Sequence, residues 1–191
     1  MKNILKYGSL LIIAAAVLWG IDGVLRRSLY SISPIVIVFY EHLIGAAIIL
    51  PVFLKDKNRS GLTKKEWLAI IFVAFLSGVL GTLWFTTALL KVNFIPFSVV
   101  FLIQKLQPLF AIGSAAILLR EKVDRRYIGW AVLSLAAAYF VTFKNGIVNF
   151  ETGEGTIIAA LFALGAAFAW GSSTAFSRYA LLAHSNTQIT A

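Results

Sequence analysis

Six stretches of this chain are apolar for long enough to cross a bilayer, and short polar or basic segments separate them. They cover residues 7–25, 34–54, 67–90, 95–119, 127–143 and 155–176, between 17 and 25 residues each. As helices they would reach roughly 25 to 37 Å, against a hydrocarbon core of about 30 Å. No stretch is left over for a soluble domain. The pattern predicts an all-α, polytopic membrane protein with six transmembrane helices and the lipid bilayer as its first partner.

Composition sharpens that reading. Hydrophobic residues make up 60% of the 191 positions and charged residues 13%, whereas soluble domains carry about 45–50% and about 25%. The net charge of +9 raises nucleic acid as a partner. The basic residues, however, sit in short clusters between spans rather than along one polar face, so no nucleic-acid role is expected. With no cysteine there is neither a disulfide framework nor a thiolate metal site.

The same clusters predict orientation. With the N-terminus inside, the cytoplasmic segments hold 12 Lys and Arg, and the outer segments hold four: Arg26, Arg27, Lys91 and Lys144. That bias places the N-terminus in the cytoplasm. A basic start before an apolar run also fits a signal peptide, but a related segment recurs later as a span, which favours a retained helix. Residues 16–29, AVLWGIDGVLRRSL, align with residues 167–180, AFAWGSSTAFSRYA, at a constant offset of 151. Ala16, Trp19, Gly20 and Arg27 match Ala167, Trp170, Gly171 and Arg178. The sixth span is then a second copy of the first after a unit of five, and an odd unit makes the copies cross in opposite directions.

Polar residues inside the spans are the candidate chemistry. Lys105 lies mid-span in the fourth stretch, flanked by Gln104, Gln107 and Pro108. A lone Lys at that depth costs about 2.5–3.5 kcal/mol on insertion scales, so it is expected to face protein or water. Glu41 and His42 lie inside the second span and Asp22 near the end of the first. Asp22 reads either as a pathway residue or as an interfacial group reaching solvent near Arg26. His42 sits about 100° around the helix from Glu41, and a hydrogen-bonded interhelical histidine competes with a ligand role there. Trp19, Trp84 and Trp170 could stack on a substrate or pack the bundle, and Ser172 and Ser173 replace Ile21 and Asp22 of the first copy. Pro108 removes a helical N–H and so frees a carbonyl near Gln104, giving a hinge, a polar site or a fixed kink. Gly45, Gly78, Gly81, Gly165 and Gly171 are expected at close helix contacts, and Trp67 and Trp130 at the membrane interface.

The Trp-Gly of the first span, the Ser33-Pro34 start of the second, Pro108 followed by Leu118, Leu119, Arg120, Glu121 and Lys122, and Gly129 in the fifth together resemble the EamA-type half of the drug/metabolite transporter superfamily. The resemblance covers five helices plus the first helix of a second half. It implies a ten-helix, inverted-repeat secondary transporter with cytoplasmic termini in the plasma membrane of a prokaryote, with the cavity lined by the first four helices of each half. Its cargo would be small metabolites, amino acids or drugs, with export as the direction taken here. Residues 1–143 then form the first repeat, and residues 144–191 the connection and opening helix of a second.

The sequence departs from that pattern twice. The family often carries Arg where Glu41 stands, and Lys105 is a charge the commoner pattern lacks. The two lie at depths about 5 Å apart, and are expected to pair across the cavity. Glu41 would then serve either as the carrier of a coupling proton or as half of a structural ion pair. The sites expected on the pathway are therefore Trp19, Asp22, Glu41, His42, Trp84, Gln104, Lys105, Pro108, Trp170 and Ser173. No metal site and no cofactor is expected. The alternatives are a non-transporting membrane subunit acting through a partner, or an intramembrane enzyme. The latter has no HExxH pair, phosphate loop or Ser/His/Asp set to carry it. Repeat alignment puts Thr187 to Ala191 at the first turn of a further span, so a truncated transporter completed by its missing half or by another copy is expected.

Overall fold

The computed structural model describes residues 8–55, 61–91, 97–120, 122–142 and 154–181. The predicted basic start, the connection around Asn145 and Glu151, and the chain after Leu181 lie outside these residues. Among the described residues every regular element is helical: α1 Gly8–Ser28, α2 Pro34–Lys55, α3 Lys64–Leu90, α4 Phe97–Gln104, α5 Gln107–Leu118, α6 Arg125–Thr142 and α7 Glu154–Leu181. All six predicted spans are present, with α4 and α5 as two halves of the fourth. Four of them are long and apolar enough to cross a membrane within the described residues. This is an integral, all-α polytopic membrane protein.

Local sequence sets the boundaries. Pro34 opens α2 at a position whose N–H would be unpaired anyway, and the Ser33 carbonyl accepts from Val36 and Ile37. Thr63 caps α3 in a reciprocal capping box with Glu66, so that helix begins at Lys64 rather than at Trp67. The middle of α3, Ala74–Gly81, widens into a π-helix. There Ser77 turns its carbonyl to two outside donors, the hydroxyl of Thr82 at 3.0 Å and the indole of Trp170 at 3.0 Å.

α7 is the central post. It packs against α3, α4 and α5, and it can do so closely because its inner face is small: Ala159, Ala163, Ala166, Ala167, Ala169 and Ala175 are buried. Phe85, Leu89 and Val100 fill the core opposite. Phe72 stacks on Phe176, Ser77 meets Trp170 and Trp84 lies over Gly165, so α3 and α7 run antiparallel. Gln107 abuts Gly171, while Ala115 and Arg178 border one cavity, so α5 and α7 run parallel. Leu10, Ile12, Ile35, Ile48 and Ile117 are exposed outward. So many exposed apolar side chains on continuous helix faces suit lipid rather than water.

Of the five glycines expected at close contacts, Gly78, Gly81, Gly165 and Gly171 are so placed, and Gly45 has nothing within 4 Å of a Cβ. Trp67 and Trp130 are exposed, as belt residues would be.

Candidate functional site

The first polar centre is built on α1. Its helix continues three residues past the expected end at Leu25, so Arg26 falls inside the span and one turn after Asp22, on the same face. Arg26 is only 6% exposed. Each guanidinium nitrogen has its own partner: Nε donates to Asp22 at 2.7 Å, Nη1 to Thr86 of α3 at 2.8 Å, and Nη2 to Glu41 of α2 at 2.7 Å. The planar fork of Arg thus ties three helices together. The two carboxylates remain about half exposed, at 45% and 42% of their side-chain surface. They border a cavity of about 500 Å³ with Trp19, Gln107, Trp170 and Ser173.

This arrangement corrects the expected pairing of Glu41 with Lys105. Glu41 ion-pairs with Arg26 instead, because Arg26 belongs to the helix rather than to the outer loop and reaches Glu41 directly. Asp22 is likewise engaged by Arg26 and stays half exposed beside it. Among the described residues no carboxylate lies within ion-pair distance of Lys105.

The second polar centre is the gap between α4 and α5. Pro108 has no N–H to give to the carbonyl one turn back. The chain tightens there, with Lys105 and Leu106 bonding to the carbonyls of Leu102 and Ile103. The fourth span is therefore two helices, and the interruption falls at Lys105 and Leu106, just before the proline. Gln104, Lys105, Gln107 and Pro108 line a cavity of about 670 Å³ together with Trp19 and Thr174. Gln104 is buried, and its amide nitrogen has no hydrogen-bond partner among the described residues.

Trp19 stands between the two cavities and borders both. Its ring meets Trp170 edge to face, with centroids 6.0 Å apart. These two residues align in the repeat expected from the sequence, and equivalent residues of two copies related by a two-fold axis would meet only close to that axis. Trp170 is fixed by its bond to Ser77 and by Gly81, where a Cβ would sit 2.5 Å from the indole. Trp19 has an open side.

The remaining expected residues fall elsewhere. His42 bonds through Nδ1 to the Val38 carbonyl of its own helix and packs on Gly78. Its hydrogen bond is thus intrahelical, and it borders a separate apolar cavity with Phe39 and Val79. Trp84 packs against the core over Gly165. Ser173 donates to the Trp170 carbonyl at 2.8 Å beside the first cavity. Among the described residues no cluster of three or more His, Asp or Glu could hold a metal. Arg26, Thr86 and Thr174 were not expected at the site, whereas Gln107 is one of the polar residues that flank Lys105 in the sequence. Of the unexpected residues only Arg26 left a signal, its spacing of four from Asp22.

Comparison with family models gives a match to the EamA-like transporter family over residues 6–143. The chain belongs to the EamA-like transporter family. It is also 40% identical over 181 residues to a protein named riboflavin transporter ImpX from Fusobacterium nucleatum, covering 93% of this chain and 60% of that relative. The chain thus spans about 60% of the length of the relative it matches. No solved structure matches it. The EamA match spans all of α1 to α6, so both polar centres of the site lie within the family region.

Proposed function

We propose that the complete protein is a secondary transporter that moves a small metabolite across the cytoplasmic membrane of a prokaryote, N-terminus inside, along the cavities beside Trp19. The observation that carries this reading is the meeting of Trp19 and Trp170 at two cavities whose largely apolar walls carry Asp22, Glu41, Gln104 and Lys105. In transporters built from inverted repeats the substrate site lies at the contact of the two copies, where rocking one against the other opens each side in turn. Residues 1–143 serve as the first repeat, and α7 opens the second.

Riboflavin is the first cargo to try, on the name of the relative in Fusobacterium nucleatum. The cavity of about 670 Å³ falls in the range of about 300–1,000 Å³ for small-molecule sites. Glu41 and Asp22 share one cation, so one added proton brings the cluster from net negative to neutral, and a proton on Glu41 weakens the tie between α1 and α2. That supplies a route to proton coupling. The direction is taken as export.

The test is flux of labelled riboflavin in vesicles holding the complete protein, everted and right-side-out, with and without an imposed pH gradient. Saturable flux in one direction, reduced at least tenfold in Glu41→Gln, is expected. Flux equal to that of empty vesicles would remove riboflavin as cargo, and flux indifferent to the gradient would remove the proton.

A further inference from the structure

We propose that the break between α4 and α5 recognises the ring of the cargo: Gln104 and Lys105 donate hydrogen bonds to the carbonyl oxygens of a planar heterocycle that stacks on the open side of Trp19. This rests on the transport reading above and adds the ligand class and its orientation.

Gln104 motivates it. Its amide nitrogen is enclosed and has no partner among the described residues, although buried polar groups are overwhelmingly paired and an unmade donor costs about 1–3 kcal/mol. A core position with no other duty would be filled by Leu. The side chain lines the 670 Å³ cavity, and its last torsion is soft, so a small turn delivers the N–H to a bound acceptor.

Lys105 is the neighbouring donor. It lies mid-membrane, borders the same cavity, and has no carboxylate within ion-pair distance among the described residues. The carboxylates on the other side of Trp19 are committed to Arg26. This end of the cavity therefore offers N–H donors and a net positive charge. A cationic ligand is disfavoured, and a ring edge with two nearby carbonyl acceptors is matched. Trp19 supplies the flat apolar surface that such a ring needs.

Binding to the full-length protein in nanodiscs is read by quenching of flavin fluorescence, using riboflavin, lumichrome (the ring without its ribityl chain) and ribitol as probes. Lumichrome is expected to displace riboflavin and ribitol is not. Gln104→Leu and Gln104→Glu should weaken riboflavin and lumichrome alike by tenfold or more, and Lys105→Gln should weaken both severalfold. Thermal unfolding of the free protein separates recognition from folding. Gln104→Leu should melt at the same or a higher temperature, since it removes an unpaired donor, while binding worse.

Unchanged riboflavin binding in both Gln104 variants would overturn the inference and leave riboflavin as the cargo. Binding of lumichrome without riboflavin would remove riboflavin as the cargo and leave the ring site standing. Binding of neither flavin, or weaker binding accompanied by a lower melting temperature in Gln104→Leu, would overturn the ring site.

Discussion

Arg26 is the residue on which the outer half of the site depends, because three of its nitrogens serve three different side chains. Removing one carboxylate leaves the other, so Glu41→Gln should cost about 1 kcal/mol or less in folding stability, both carboxylates being half exposed. Arg26→Lys should be worse than either single neutralisation. An ammonium is a point charge and cannot span Asp22, Thr86 and Glu41 at once. Thermal unfolding of the wild type, Glu41→Gln, Asp22→Asn and Arg26→Lys checks the order, and a Lys variant as stable as the wild type would refute the fork. Part of this was legible in advance: Asp22 and Arg26 are one turn apart, and a carboxylate at Glu41 inside a span calls for a cation. Which cation was not legible. The end of α1 was expected before Arg26, and the neighbour of Glu41 across two helices is set by packing, which spacing along the chain does not encode.

At the scale of elements, the two stretches that align in sequence are packed differently. Gly20 and Gly171 are equivalent, yet a Cβ at Gly20 meets nothing within 4 Å, whereas one at Gly171 would lie 2.5 Å from the Gln107 carbonyl oxygen. Gly171→Ala should therefore push α7 from the start of α5 and cost about 1–3 kcal/mol as overpacking, while Gly20→Ala should be close to neutral. Equal melting temperatures for the two variants would contradict that contact. The spans themselves were readable from apolar run length, and Pro108 announced the interruption in the fourth. The π-helical stretch of α3 was not announced. It exists where Ser77 accepts from Trp170, a partner 93 residues away that no local pattern specifies.

For the whole molecule, the repeat offset and the parallel or antiparallel sense of α7 tell one story. α7 runs with α5 and against α3, as it must if five crossings precede it. Counting Arg26 and Arg27 with α1 rather than with the outer loop leaves two outer basic residues in place of four, so the bias expected from the sequence keeps its direction. The central proposal is that the cavities around Trp19 are the cargo's path. Thr174 of α7 borders both of them and is exposed there, and the chain has no cysteine of its own. The most direct measurement is the rate at which a membrane-impermeant thiol reagent modifies Thr174→Cys in the complete protein, with and without riboflavin. The account predicts modification from the aqueous phase, slowed severalfold by riboflavin and not by ribitol. A rate that riboflavin leaves unchanged, in protein that still transports it, would place the path elsewhere.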